Sequence, residues 1–137
     1  MNAFRRLGPV AIVLFLAIPA SLSAAGHPIR PVSEQTKIDF LLGEVKNSSA
    51  IFVRNGSAYP ASRAASHLLS KLNFAGRRVQ NARQFITGIA SHSEASGQPY
   101  EIRWPDGRRQ PLAEWLLERL AFYEREHLPA PEPIPPG

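Results

Sequence analysis

Apolar residues fall into three regimes along this chain: one unbroken run near the start, periodic segments through the middle, and almost none at the end. In the middle, Ile38, Leu41, Leu42 and Val45 recur at the i, i+3, i+4, i+7 spacing of one helix face. Ser33 can cap that helix and Glu34 puts an anion in its first turn, so a helix is predicted from Ser33 to Lys46. Asn47, Ser48 and Ser49 end the period, and Ile51, Phe52 and Val53 form a short β-prone run that stops at Arg54. Asn55-Gly56 then favours a turn with positive φ. Pro60 suits the first position of a second helix, with Ala65, Leu68, Leu69 and Leu72 on its buried face.

Asn81 with Gln84 is a capping-box variant, and Ala82, Phe85, Ile86 and Ile89 share a face, which predicts a third helix from Ala82 to Ser91. Tyr100, Ile102 and Trp104 alternate with Glu101 and Arg103, the period of a half-buried strand. Pro105-Asp106-Gly107 makes a tight turn, and Arg108 to Gln110 returns as a short partner strand. Pro111 opens a last helix whose seam is Leu112, Leu116, Leu120 and Tyr123, widened by Trp115 and Leu117, ending near His127. The pattern is that of an α+β protein: about four short helices with a small antiparallel β element, a single compact domain over residues 33–128. The aromatic residues Tyr100, Trp104, Trp115, Phe122 and Tyr123 fall at strand and helix periods, so a shared core is their default place.

The two ends carry different signals. Arg5 and Arg6 precede the apolar run Val10 to Ile18, which closes at Pro19 and the small residues Ala20 to Ala25, the order of a secretory signal peptide. A bilayer takes about 20 apolar residues to cross, roughly twice this run. Residues 1–25 are therefore read as a leader cleaved after Ala25, residues 26–32 as an extended lead-in steered by Pro28 and Pro31, and residues 129–137 as a proline-rich tail. Five of the last nine residues are proline, so the tail is expected to adopt polyproline II.

Charge and cysteine content follow from that division. Losing Arg5 and Arg6 lowers the formal charge of +5 to +3. An exported, periplasmic or secreted chain of that charge meets little nucleic acid, so the expected partner is another envelope protein or an anionic envelope ligand. No membrane span remains once the leader is removed. There is no cysteine, so neither lipid modification nor disulfides are available and packing alone must stabilise the domain.

Three groups of residues could carry chemistry. Arg54, Asn55 and Gly56 close an apolar strand, where a guanidinium could bind a carboxylate or phosphate; alternatively Arg54 bonds helix-terminal carbonyls or Glu44. His67 lies beside the apolar face of helix two, where a general base is possible but one buried hydrogen bond is commoner. Ser91, Ser93 and Ser96 invite a nucleophile reading, yet none sits in a Gly-x-Ser-x-Gly elbow, and serines after a helix usually satisfy its end. The histidines have no i, i+3 or i+4 pairing and no His-Glu-x-x-His, so no metal and no cofactor is expected.

Phe52-Val53-Arg54-Asn55-Gly56, Ala64-Ala65 before His67-Leu68 and Lys71, Phe85-Ile86, and Ala90-Ser91-x-Ser93-x-x-Ser96-Gly97-x-Pro99-Tyr100 resemble the YfeK-like family of small exported bacterial proteins, a domain of unknown function. The resemblance runs to Trp115-Leu116. It implies an envelope or periplasmic location and no assigned activity, cofactor, partner or catalytic residue. It also implies that Arg54, Asn55, Gly56, His67, Ser91, Ser93, Ser96, Gly97 and Tyr100 belong to the family pattern. Some relatives carry cysteines near the first strand and before helix two, where this chain has Ala50 and Ala61, so no disulfide follows here. The leading expectation is a non-catalytic binding or interaction domain using Arg54, Asn55 and His67 near the serine loop. The alternative is that these residues form an internal hydrogen-bond network; a hydrolase comes third.

Overall fold

The computed structural model describes residues 32–127, so the leader, the lead-in up to residue 31 and the proline-rich tail lie outside the described residues. Helix α1, Val32–Lys46, buries Ile38, Leu41 and Val45 as the periodicity requires. It begins one residue earlier than predicted, which puts Ser33 inside its first turn. Glu34 acts beyond its own helix: its Oε2 accepts the backbone N–H of Ala82 at 2.8 Å, and that bond holds its carboxyl below the usual range.

Strands β1, Ile51–Arg54, and β2, Ser57–Pro60, form a hairpin closed by Asn55 and Gly56 at φ 50° and 76°, the backbone of a type I′ turn. The periodicity did not predict β2, because Ser57-Ala58-Tyr59-Pro60 shows no apolar alternation. The turn imposes it, by laying any following residues against β1. Pro60 is tolerated because β2 is an edge of the sheet. Helix α2, Ala61–Ala75, starts one residue after Pro60, which serves as an extended residue before the helix. Ala65, Leu68 and Leu72 are buried, but Leu69, predicted on that face, is 45% exposed. A face one residue narrower suffices because α2 packs chiefly on α1.

Helix α3, Ala82–Gln84, is capped by Asn81, whose side chain accepts from Gln84 N at 2.8 Å. Gln84 completes the cap one residue further back than a capping box does, accepting from Gln80 N at 2.7 Å. The helix then widens into a π-helical turn, Phe85–Ile89, rather than continuing as α to Ser91. Phe85, Ile86, Ile89 and Ala90 are all buried along it.

Strands β3, Glu101–Arg103, and β4, Arg109–Pro111, complete an antiparallel sheet in the order β2-β1-β3-β4. Gly107, at φ 89°, donates to Trp104 O at 3.0 Å and closes the predicted turn between them. Pro111 ends β4, and helix α4, Leu112–His127, follows it. Leu112, Trp115, Leu116 and Leu120 are buried; Tyr123 is half-buried against Phe40 and Leu117 is 37% exposed, so the seam is narrower than predicted. Of the aromatic residues expected in the core, Tyr100 and Trp115 are buried, Trp104 stacks edge-on against Trp115, and Phe122 is 37% exposed. The helices cover one sheet face, with Phe52 and Ile102 paired across β1 and β3 beneath them. Among the described residues no helix is long and apolar enough to cross a membrane.

Candidate functional site

The hairpin turn, helix α2 and the loop before β3 meet at one end of the sheet, and the polar motif is divided there into two halves. The first half centres on Asn55. Its Nδ2 donates to Ser93 Oγ at 3.2 Å, and its Oδ1 accepts from the hydroxyl of Ser96. The serine loop is already closed by its own backbone: Ser93 N donates to Gln98 O at 2.9 Å, and Gly97 N to Ser93 O at 2.7 Å, with Gly97 at φ 69°. Ser93 is 3% exposed. Asn55 thus clamps a preformed loop to the hairpin, and both ends of its amide are used.

The second half centres on His67. Arg54 projects from the same strand face as Phe52, toward α2, and its Nη1 lies 3.2 and 3.3 Å from the two ring nitrogens of His67. His67 Nε2 lies 3.3 Å from the hydroxyl of Tyr100. Lys71, one turn along α2, reaches that hydroxyl at 3.1 Å, as well as the carbonyls of Ile89 at 2.8 Å and His92 at 3.2 Å. Lys71 therefore ties α2 to the end of the π-helical turn, where free carbonyls favour a cation.

Donor rules assign the protons. Arg and Lys can only donate. If Arg54 donates to Nδ1, the imidazole N–H is at Nε2 and donates to the Tyr100 oxygen, which also accepts from Lys71. The Tyr100 proton is then left over. Burial, and then the charges of Arg54 and Lys71, hold the His67 pKa below the usual imidazole range, so the ring is neutral at pH 7.

A cavity of about 380 Å³ opens between the hairpin and α2 at this point. Arg54, Tyr59, Arg63, His67 and Tyr100 supply its polar lining, and Phe52, Val53, Ala64, Leu68 and Leu112 its apolar lining. Among the described residues no carboxylate lines it. The acids of the described residues are engaged elsewhere or lie away from it: Glu34 and Glu124 with Lys37, Glu101 with Arg103, and Asp106 with Arg108. Glu44, expected as a partner for Arg54, instead lies 2.6 Å from Arg119 Nε, with that N–H not aimed at the carboxylate.

The structure thus brings Arg54, Asn55, Gly56, His67, Ser93, Ser96, Gly97 and Tyr100 to one end of the fold. Ser91 joins only through its carbonyl, which accepts from Tyr100 N at 3.0 Å. Its hydroxyl donates to Thr87 O at 2.5 Å and lies 2.7 Å from His92 Nδ1. With the serine proton given to Thr87, His92 must donate to Ser91, the wrong direction for a general base. Lys71 was part of the motif behind the family resemblance but not among the candidate site residues, although its i, i+4 spacing from His67 marks a shared helix face; Tyr59 and Arg63 were left out altogether. Among the described residues no group of three or more histidine or acidic side chains could hold a metal.

Residues 32–124 match the model of a family of unknown function, DUF5329. The chain belongs to this family. The uncharacterised protein YfeK of Salmonella typhimurium is similar, 34% identical over 90 residues that span 65% of this chain and 70% of that one. No solved structure gives a significant match. The DUF5329 match takes in all four helices and the sheet, and with them both halves of the polar site.

Proposed function

We propose that this DUF5329 protein is an exported periplasmic or envelope domain that binds an anionic group in the cavity beside Arg54, His67 and Tyr100, and carries out no chemistry on it. The observation that supports this is the placing of Arg54 and Arg63 on the cavity beside a neutral His67, with no carboxylate lining it among the described residues. Structural cations are ordinarily paired, and a group left without a counter-charge beside a cavity has its counter-charge supplied by a ligand. The first turn of α2, which has no side-chain cap, adds the positive end of its dipole near Ala64.

Titration calorimetry with acetate, phosphate and sulfate, on the wild type and on Arg54→Gln, tests the anion site. The proposal expects at least one of these anions to bind the wild type and to bind the variant about 10- to 100-fold more weakly, the value of a lost charge-assisted bond. Binding that survives Arg54→Gln unchanged sinks it. Export is tested separately by expressing the full chain and weighing the protein recovered from the periplasm, which should begin at Gly26.

The internal-network reading is favoured for the Asn55 half by a specific observation: Asn55, Ser93 and Ser96 satisfy one another without any ligand.

A further inference from the structure

Resting on that anion-binding reading, we infer that the ligand is a small amphiphilic monoanion: a carboxylate head held by Arg54 and Tyr100, on an apolar body lying over Ala64 and the ring of Tyr59. Three features of the cavity narrow the class.

The polar side offers donors. Arg54 has N–H groups beyond the one that meets His67, and in the tautomer where Arg54 donates to Nδ1 the Tyr100 oxygen accepts twice and its hydroxyl proton is left to donate. In that tautomer His67 Nδ1 is occupied by Arg54. A ligand group that also carries donors, such as a sugar hydroxyl face or an amide, would meet few acceptors here. A planar carboxylate accepts a guanidinium fork and one hydroxyl donor, which matches this set.

Much of the remaining lining is apolar. Phe52, Leu68 and Leu112 are 4%, 1% and 2% exposed, so they are core residues that the cavity reaches rather than surface residues that flank it. The accessible apolar surface of the lining lies on half-buried Ala64 and the ring of Tyr59; a compact inorganic ion at Arg54 would leave it uncovered, whereas an apolar body covers it with favourable burial. Among the described residues the lining contains no glycine to form the backbone nest that phosphate sites commonly use.

The volume, about 380 Å³, is at the small end of ligand pockets and suits one small molecule rather than a polymer. A peptide added to the sheet edge is disfavoured by β2 itself. Arg54 pairs with Ser57 and Phe52 with Tyr59 through ladder bonds, so the outward positions of β2 are Ala58 and Pro60. Pro60 has no N–H, and one donor is too few to hold a strand.

The test uses octanoate below its aggregation concentration, with acetate, inorganic phosphate and the neutral octanol as comparators, read by titration calorimetry on the purified protein. Octanoate should bind about 10-fold or more tightly than acetate, since buried methylenes add affinity. Octanol should bind weakly. Arg54→Gln should weaken octanoate about 10- to 100-fold. Ala64→Leu, which projects into the cavity from α2, should weaken octanoate similarly and leave acetate unchanged. If acetate or phosphate binds through Arg54 as tightly as octanoate, the amphiphile inference is overturned and the anion site stands. If no anion binds, or octanoate binds Arg54→Gln undiminished, both readings fall. Circular dichroism melts of each variant separate lost binding from lost folding.

Discussion

Arg54 and Asn55 are adjacent in the chain and opposite in what they do. Asn55 has one donor group and one acceptor, and the serine loop takes both. Arg54 has only donors, and its side-chain hydrogen-bond partner is a neutral imidazole. A polar group whose capacity is met inside the protein holds the fold together. One with capacity left over beside a cavity is placed to recognise something else. The difference comes from the strand: successive residues point to opposite sides, and the type I′ turn then swings Asn55 toward the serine loop while Arg54 faces α2.

Lys71→Met should give the largest loss of stability, because it removes charge-assisted bonds to two carbonyls and to Tyr100 at once. About 2–3 kcal/mol is expected, a fall in Tm of roughly 10–20 °C for a domain of this size. A smaller loss than Arg54→Gln would break the division, since Lys71 would then belong with the recognising half. Next, Asn55→Ala should lose about 2 kcal/mol through the loop bonds and a left-handed φ that alanine disfavours. Asn55→Gly keeps the turn and loses only the clamp, so it should recover about half of that; equal losses would mean that the loop bonds contribute all of it.

His67 sharpens the contrast through pH. Its pKa is lower folded than unfolded, so the unfolded chain takes up a proton first. Its contribution to stability is therefore full above about pH 6.5 and is lost as pH falls below that value. Melts between pH 7.5 and pH 5 should show this slope in the wild type and a flatter one in His67→Phe; parallel curves would contradict the environment described. Arg54→Gln should change stability by less than about 0.5 kcal/mol while weakening anion binding, in contrast to Asn55→Ala. Smallest of all, Ser91→Ala should leave both stability and binding within error, and a catalytic activity lost with that hydroxyl would revive the hydrolase reading.

Much of this was legible in the sequence and the exceptions have reasons. The spacing of Ile38, Leu41 and Val45, of Ala65, Leu68 and Leu72, and of Leu112, Leu116 and Leu120 determined three helices and their buried faces, because a face must repeat with the helical turn. Asn55-Gly56 determined a left-handed turn, because few other pairs accept positive φ twice. The α+β class followed from those elements, and the motif residues were visible as a group before their contacts were.

Tertiary structure alone decided the rest. Strand β2 exists because the turn lays it on β1, although its own residues have no strand pattern. The π-helical register of Phe85–Ile89 is not marked by the apolar period, which an α face fits equally well. The separation of Arg54 from Asn55 into recognising and stabilising roles depends on which donors find acceptors across α2, the hairpin and the serine loop, elements up to 41 residues apart in the chain. Periodicity reports only which face is buried. Whether a polar atom is satisfied depends on partners that only folding brings within about 3 Å.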